Sequence, residues 1–162
     1  MSNVQRRQLR FATLSDAVCD AEHMLANGYE KAGKWDLAQC CHHLAVLMTW
    51  PIDGFPRFRF PMNVGVWLLK KTVAPGWLKK VLRTGVWPTG TPTDERTVPP
   101  AGGNDAEEVL ALKRAVERLL THTGPLHASP LFGMLDKDTL VKLHCIHTAH
   151  HLSFLVPRAA QT

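Results

Sequence analysis

Apolar positions recur at helical spacing in four stretches of the chain, and the segments between them are rich in proline and glycine. The first stretch predicts a helix that starts at Ser15, whose hydroxyl can cap the free amides of the opening turn, and that ends near Asn27-Gly28. Val18, Cys19, Glu22, Leu25 and Ala26 form its moderately apolar stripe. A second helix follows Lys34-Trp35, takes Asp36 as its cap and runs through LAQCCHHLAVLMTW until Pro51 stops it. Residues 51–62 (PIDGFPRFRFPM) read as an extended connection, with Phe55, Phe58 and Phe60 packing onto the helices. Residues 63–83 predict one helix, or two short ones broken at Pro75-Gly76.

Residues 84–104 carry four prolines, four glycines and five threonines, so no regular element is expected there, and a loop of this length marks a functional or mobile segment. A helix from Asn104 or Asp105 to His122 places Glu107 and Glu108 near its positive end and buries Val109, Leu110, Leu112, Val116, Leu119 and Leu120. Asp136 caps the last helix, which runs from Lys137 to Leu155 ahead of Pro157. Four major helices, one or two accessory ones and no alternating strand pattern predict an all-α bundle forming one domain over residues 1–162.

Composition narrows the class without naming a function. With 45% hydrophobic and 20% charged residues in 162, the chain is globular rather than disordered. No apolar run reaches the roughly 18 residues of a membrane span, and MSNVQRRQLRF has no apolar stretch behind its basic residues. Cys19, Cys40, Cys41 and Cys145 form no C-x-x-C pair and fall in helical segments, so they read as reduced thiols in a cytoplasmic protein. The net charge of +5 is a weak signal, and no nucleic-acid partner is expected.

Nine histidines change the picture, because four of them lie within residues 144–151. At about 100° per residue, Leu140, His144, His147, His151 and Phe154 share one face of the last helix, with His150 at its border. On the second helix His43 lies central to a stripe of Gln39, Cys40, Val46, Leu47 and Trp50, while His42 points about 100° away. Neutral imidazoles crowded in a core need partners for their nitrogens and cannot all be protonated, and one divalent cation resolves both difficulties. His147 and His151, at i and i+4, can aim at one ion, with His144 and His147 a less symmetric pair. His43 supplies the third nitrogen from another helix.

Three neutral nitrogens suit zinc, nickel, iron, cobalt or copper better than magnesium or calcium; zinc and nickel are the first choices, and manganese is also admitted. The E-x-x-H pairs of di-iron bundles, the metalloprotease H-E-x-x-H and the haem-attachment C-x-x-C-H are all missing from the sequence.

The segments RRQLRFATLSDAVCDAEHMLANGY, GKWDLAQCCHHLA and THTGPLHASPLFGMLDKDTLVKLHCIHTAHHLSFLVP resemble the DinB/YfiT-like superfamily of metal-binding four-helix bundles, and within it an uncharacterised domain-of-unknown-function 1569 branch. The resemblance implies that His43 joins the His147-x-x-x-His151 pair in holding the metal. Many members end this helix with H-H-x-G-Q, whereas here the chain reads His150-His151-Leu152-Ser153-Phe154. It further implies metal-dependent hydrolysis or transfer involving a low-molecular-weight thiol, on a small-molecule substrate not identified by the residues. A non-catalytic metal- or ligand-binding module is the alternative, and a homodimer is compatible with both.

Other residues receive more modest expectations. His144 and His150 are read as pocket residues, His23 and His122 as surface or helix-end groups, and His127 as lying in the loop before the last helix. Cys40 is read as a small hydrophobe. Glu22, Asp36, Asp53 and His150 are the candidates for a general base, none preferred. Lys70, Lys71, Lys79, Lys80 and Arg83 beside Trp67, Trp77 and Trp87 admit a membrane-surface helix, a wall over the metal or, more simply, a solvated face.

Overall fold

The computed structural model describes residues 4–158. Its order is α1 (Leu14–Asn27), β1 (Tyr29–Lys31), α2 (Leu37–Asp53), α3 (Met62–Thr72), α4 (Ala74–Thr84), a 3₁₀ turn (Glu95–Thr97), α5 (Asp105–Thr121), α6 (Lys137–Leu152) and β2 (Leu155–Pro157). The fold is mainly α. The broadest helix contact joins α2 to α5, and α1 packs on α5, α6 and α2. The main core lies among these four helices, with Leu14, Met24, Leu44, Met48, Leu112 and Leu152 excluded from solvent.

Local chemistry shifts several expected boundaries. α1 begins one residue before Ser15, because Thr13 and Asp16 form a reciprocal capping box: Asp16 N–H donates to Thr13 Oγ1 at 3.1 Å and Thr13 N–H to Asp16 Oδ2 at 2.9 Å. The buried stripe is therefore Leu14, Ala17, Val18, Ala21 and Met24, while Cys19, Leu25 and Ala26 face solvent. α2 passes through Pro51 and ends at Asp53. The proline sits in the final turn, and Gly54, at φ 104°, closes the helix instead. α2 is buried around much of its circumference, with Leu37, Cys41, Leu44 and Met48 inside and Val46, Leu47 and Trp50 half-buried, because several elements surround it.

The accessory segment divides at Val73, two residues before the expected Pro75-Gly76 break, since proline is well tolerated in a first helical turn. Phe55 and Phe58 are half-buried, but Phe60 is exposed rather than packed. α5 follows the expected boundaries, although Leu110 and Leu120 are exposed and Ala115 is buried in their place. α6 ends at Leu152, three residues early, because Leu155–Pro157 turns away to pair antiparallel with Tyr29–Lys31. This two-stranded ribbon was not visible as an alternating pattern, since each strand has only three residues.

The ribbon also braces the start of α2. Tyr29 accepts from Leu37 N–H at 3.0 Å and donates to Asp105 Oδ2 at 3.1 Å, while Asp105 Oδ1 accepts from Ala38 N–H at 2.8 Å. One carboxylate thus ties the N-terminal ends of α2 and α5 and fixes the turn preceding His43. Among the described residues no helix is long and apolar enough to cross a membrane.

Candidate metal centre

α6 is buried on nearly every side in its second half, which carries His144, His147 and His151 into the interior. The i, i+4 relation brings His147 Nε2 and His151 Nε2 to 3.0 Å, and α2 presents His43 to the same point. Ligating nitrogens of the three rings lie within 4.8 Å of one another. Nitrogens held at about 2.1 Å around a tetrahedral ion stand about 3.4 Å apart, within the span these rings cover. His43 and His147 are buried and His151 is largely so.

Donor logic fixes the proton on His43. Thr97, fully buried at the end of the 3₁₀ turn, has its hydroxyl 2.6 Å from the Asp94 carbonyl, which can only accept. Its oxygen therefore accepts from His43 Nδ1–H at 2.7 Å, leaving Nε2 with a lone pair. That Nε2 is buried and has no hydrogen-bond partner among the described residues. An inward lone pair without a partner, beside two more imidazole nitrogens, is the chemistry a divalent transition-metal ion satisfies.

Aromatic rings hold the cluster in place. Trp35 stacks on His151 with centroids 5.0 Å apart and meets His43 edge-on at 5.2 Å. Trp87, from the long 84–104 segment, stacks on His147 at 4.1 Å. Burial first, and then neighbouring histidines, pushes the pKa of His43 down to about 4 and those of His147 and His151 well below 6.5. The neutral rings required for coordination are thus the resting state near neutral pH.

The model for a protein of unknown function (DUF1569) matches residues 3–158. The chain belongs to the DUF1569 family. No curated protein and no solved structure matches it.

The remaining histidines of this DUF1569 chain separate cleanly by environment. His144 is buried, with both ring nitrogens unpartnered among the described residues, and burial pushes its pKa down to about 4. His150 Nδ1 lies 3.2 Å from Arg6 Nη2; because a guanidinium only donates, Nδ1 must accept and the ring proton sits on Nε2. Arg6 also donates to Ser153 Oγ at 2.7 Å and covers the Phe154 ring. His42 meets Glu108 of α5 at 3.1 Å, in keeping with its rotation away from His43. His23 contacts Asn27, His122 contacts the Pro125 carbonyl, and the His127 amide donates to the Pro51 carbonyl at the far end of α2.

The structure does not bring the candidate carboxylate bases to the cluster. Asp36 caps α2 and accepts from Gly102 N–H at 2.8 Å, Asp53 pairs with Arg118, and Glu22 pairs with Lys113 at 2.7 Å. Cys40 lies beside the His151 carbonyl with its thiol pKa pushed up to about 12 by burial, so it packs as a neutral group. A depression of about 570 Å³ lined by Arg10, Val141, Cys145 and Ala149 opens elsewhere on α6 and includes none of the three clustered histidines.

Sequence reasoning missed Thr97, Trp35 and Arg6 at this site. Trp87 it placed only as one option among three. A threonine in a proline-rich loop carries no periodic signal, and its contact with His43 spans 54 positions.

Proposed function

We propose that this protein is a divalent-metal-dependent enzyme of DinB-like four-helix-bundle architecture, with His43, His147 and His151 as the metal ligands. Convergence of the three ring nitrogens within 4.8 Å carries the reading, and the proton position imposed on His43 by Thr97 supports it. His43, His147 and His151 would hold a zinc or nickel ion, which would supply Lewis-acid chemistry suited to hydrolysis or to transfer onto a small thiol. The chain's own contribution is to keep three imidazoles neutral, orient His43 through Thr97, and screen the rings with Trp35 and Trp87. The DinB-like assignment rests on the His-x-x-x-His pair of α6 together with His43 and on α1, α2, α5 and α6 enclosing the core.

A second reading, a metal-binding module without turnover, is favoured by one observation: Glu22, Asp36, Asp53 and His150 are all engaged with other partners. Elemental analysis of untagged protein, followed by His43→Ala, His147→Ala and His151→Ala, tests the centre. Each substitution is expected to abolish stoichiometric metal while His23→Ala leaves it intact, and retained stoichiometry in all three defeats the assignment. Turnover of hydrolytic or thiol-transfer substrates above the metal-free background then separates enzyme from module.

A further inference from the structure

Charge and apolar exposure are concentrated in one part of the chain. Residues 54–93 contain seven of the nineteen lysines and arginines and none of the fourteen acidic residues. The rest of the molecule, with twelve basic against fourteen acidic residues, is net negative by two. The same forty residues hold half of the twelve aromatic residues and all of α3 and α4.

α3 buries none of its residues. Phe60, Met62, Val64, Trp67, Leu68 and Leu69 are each between 48% and 82% exposed, a density of bare apolar side chains far from the scattered single exposures of ordinary surfaces. At about 100° per residue, Val64, Trp67 and Leu68 flank Lys71 on one side of the helix. A lysine inside an apolar stripe can lay its carbon stem along that surface and lift its ammonium to headgroup level, and tryptophan favours the same depth. Arg57, Arg59, Lys79 and Lys80, all exposed, extend the cationic field around the stripe.

We infer that the α3–α4 segment is a peripheral docking surface for an anionic lipid bilayer, with α3 lying in the interface and its apolar side chains entering the headgroup region. Charge complementarity selects this occupant. A two-fold contact with a second copy sets Lys71 and its neighbours against themselves, and a nucleic acid matches the cations but gives Val64, Leu68 and Leu69 nothing to pack on. The net negative remainder of the chain favours the orientation that turns this face toward the lipid.

The test is co-sedimentation of the full chain with vesicles of phosphatidylcholine alone and with added phosphatidylserine, at low and high salt. Two surface variants accompany it, Trp67→Ser with Leu68→Ser, and Lys71→Glu with Lys79→Glu and Lys80→Glu, each checked for unchanged thermal unfolding. The expected result is binding that requires phosphatidylserine, weakens with salt and falls about tenfold or more in both variants. No binding, or binding indifferent to phosphatidylserine, overturns the inference. Vesicle binding unchanged by Trp67→Ser with Leu68→Ser, alongside equal affinity for a DNA duplex, assigns the surface to polyanions generally. Dimerisation lost in the same variant, without vesicle binding, assigns it to a second copy.

Discussion

The interior layer between α2 and α6 and the outer helix α3 break the usual partition of side chains in opposite directions. In the first, imidazoles are inside: His43, His144 and His147 are buried among apolar neighbours. In the second, tryptophan and leucine are outside, on a helix with nothing buried. The inner violation is held by specific partners, since Thr97 orients His43 and two tryptophans stack on His147 and His151. The outer one has no comparable bracing, since α3 packs mainly on its neighbour α4. Both places contradict the general pattern, but the inner one gathers three imidazole nitrogens within 4.8 Å of one another while the outer one leaves apolar side chains bare along a helix.

Acid gives the sharpest way to break this comparison. Histidines whose folded pKa lies below 6.5 bind fewer protons in the folded than in the unfolded protein, so stability falls as pH drops from the unfolded value and levels off below the folded one. The metal-free protein is expected to lose several kcal/mol, as an order of magnitude, between about pH 6.5 and 4, enough to unfold a marginally stable domain. His144→Leu should move that transition to lower pH in urea titrations at a series of pH values, while α3 substitutions should leave it in place. A transition unmoved by His144→Leu means that this ring is not a source of the acid sensitivity.

Metal affinity gives the next effect. Removing any one ligand, as in His147→Ala, should weaken zinc binding by more than about a hundredfold in competition with a chromophoric chelator. Thr97→Val removes the acceptor of the His43 proton and should cost about 10- to 100-fold, with Thr97→Ser restoring most of it. Nitrogen-edited NMR of the histidine rings provides the readout that packing alone does not move: His43 should lose its Nδ1–H tautomer in Thr97→Val and keep it in Thr97→Ser. The smallest effect belongs to the outer region, where Trp67→Ser should change unfolding free energy by no more than about 0.5 kcal/mol because the ring is 59% exposed. A large loss there would mean that α3 carries part of the core.

The pairing within α6 was legible because the i, i+4 relation is local, and His147 Nε2 and His151 Nε2 do lie 3.0 Å apart. The single apolar face expected of this helix was not found, since Cys145, Ile146, Thr148 and Ala149 are buried as well and Phe154 lies beyond its end. The same arithmetic chose the wrong stripe for α1, where Thr13 rather than Ser15 sets the start and Met24 rather than Leu25 enters the core. On α2 it identified His43 but could not foresee that packing on several sides also buries Leu37, Cys41 and Leu44. Threonine 97 was illegible for a different reason: a short polar residue among prolines looks the same whether it faces water or a buried imidazole.

What the chain determined by itself was the set of imidazole donors and the helical spacing that pairs His147 with His151, both properties of residues within one or two turns. That burial keeps those rings neutral was decided by the tertiary structure. Only tertiary structure decided that His43 meets them, that Thr97 sets its proton, that Trp35 and Trp87 stack on the rings, and that α3 leaves its apolar residues bare. Those outcomes join positions tens of residues apart through packing, which local spacing does not encode.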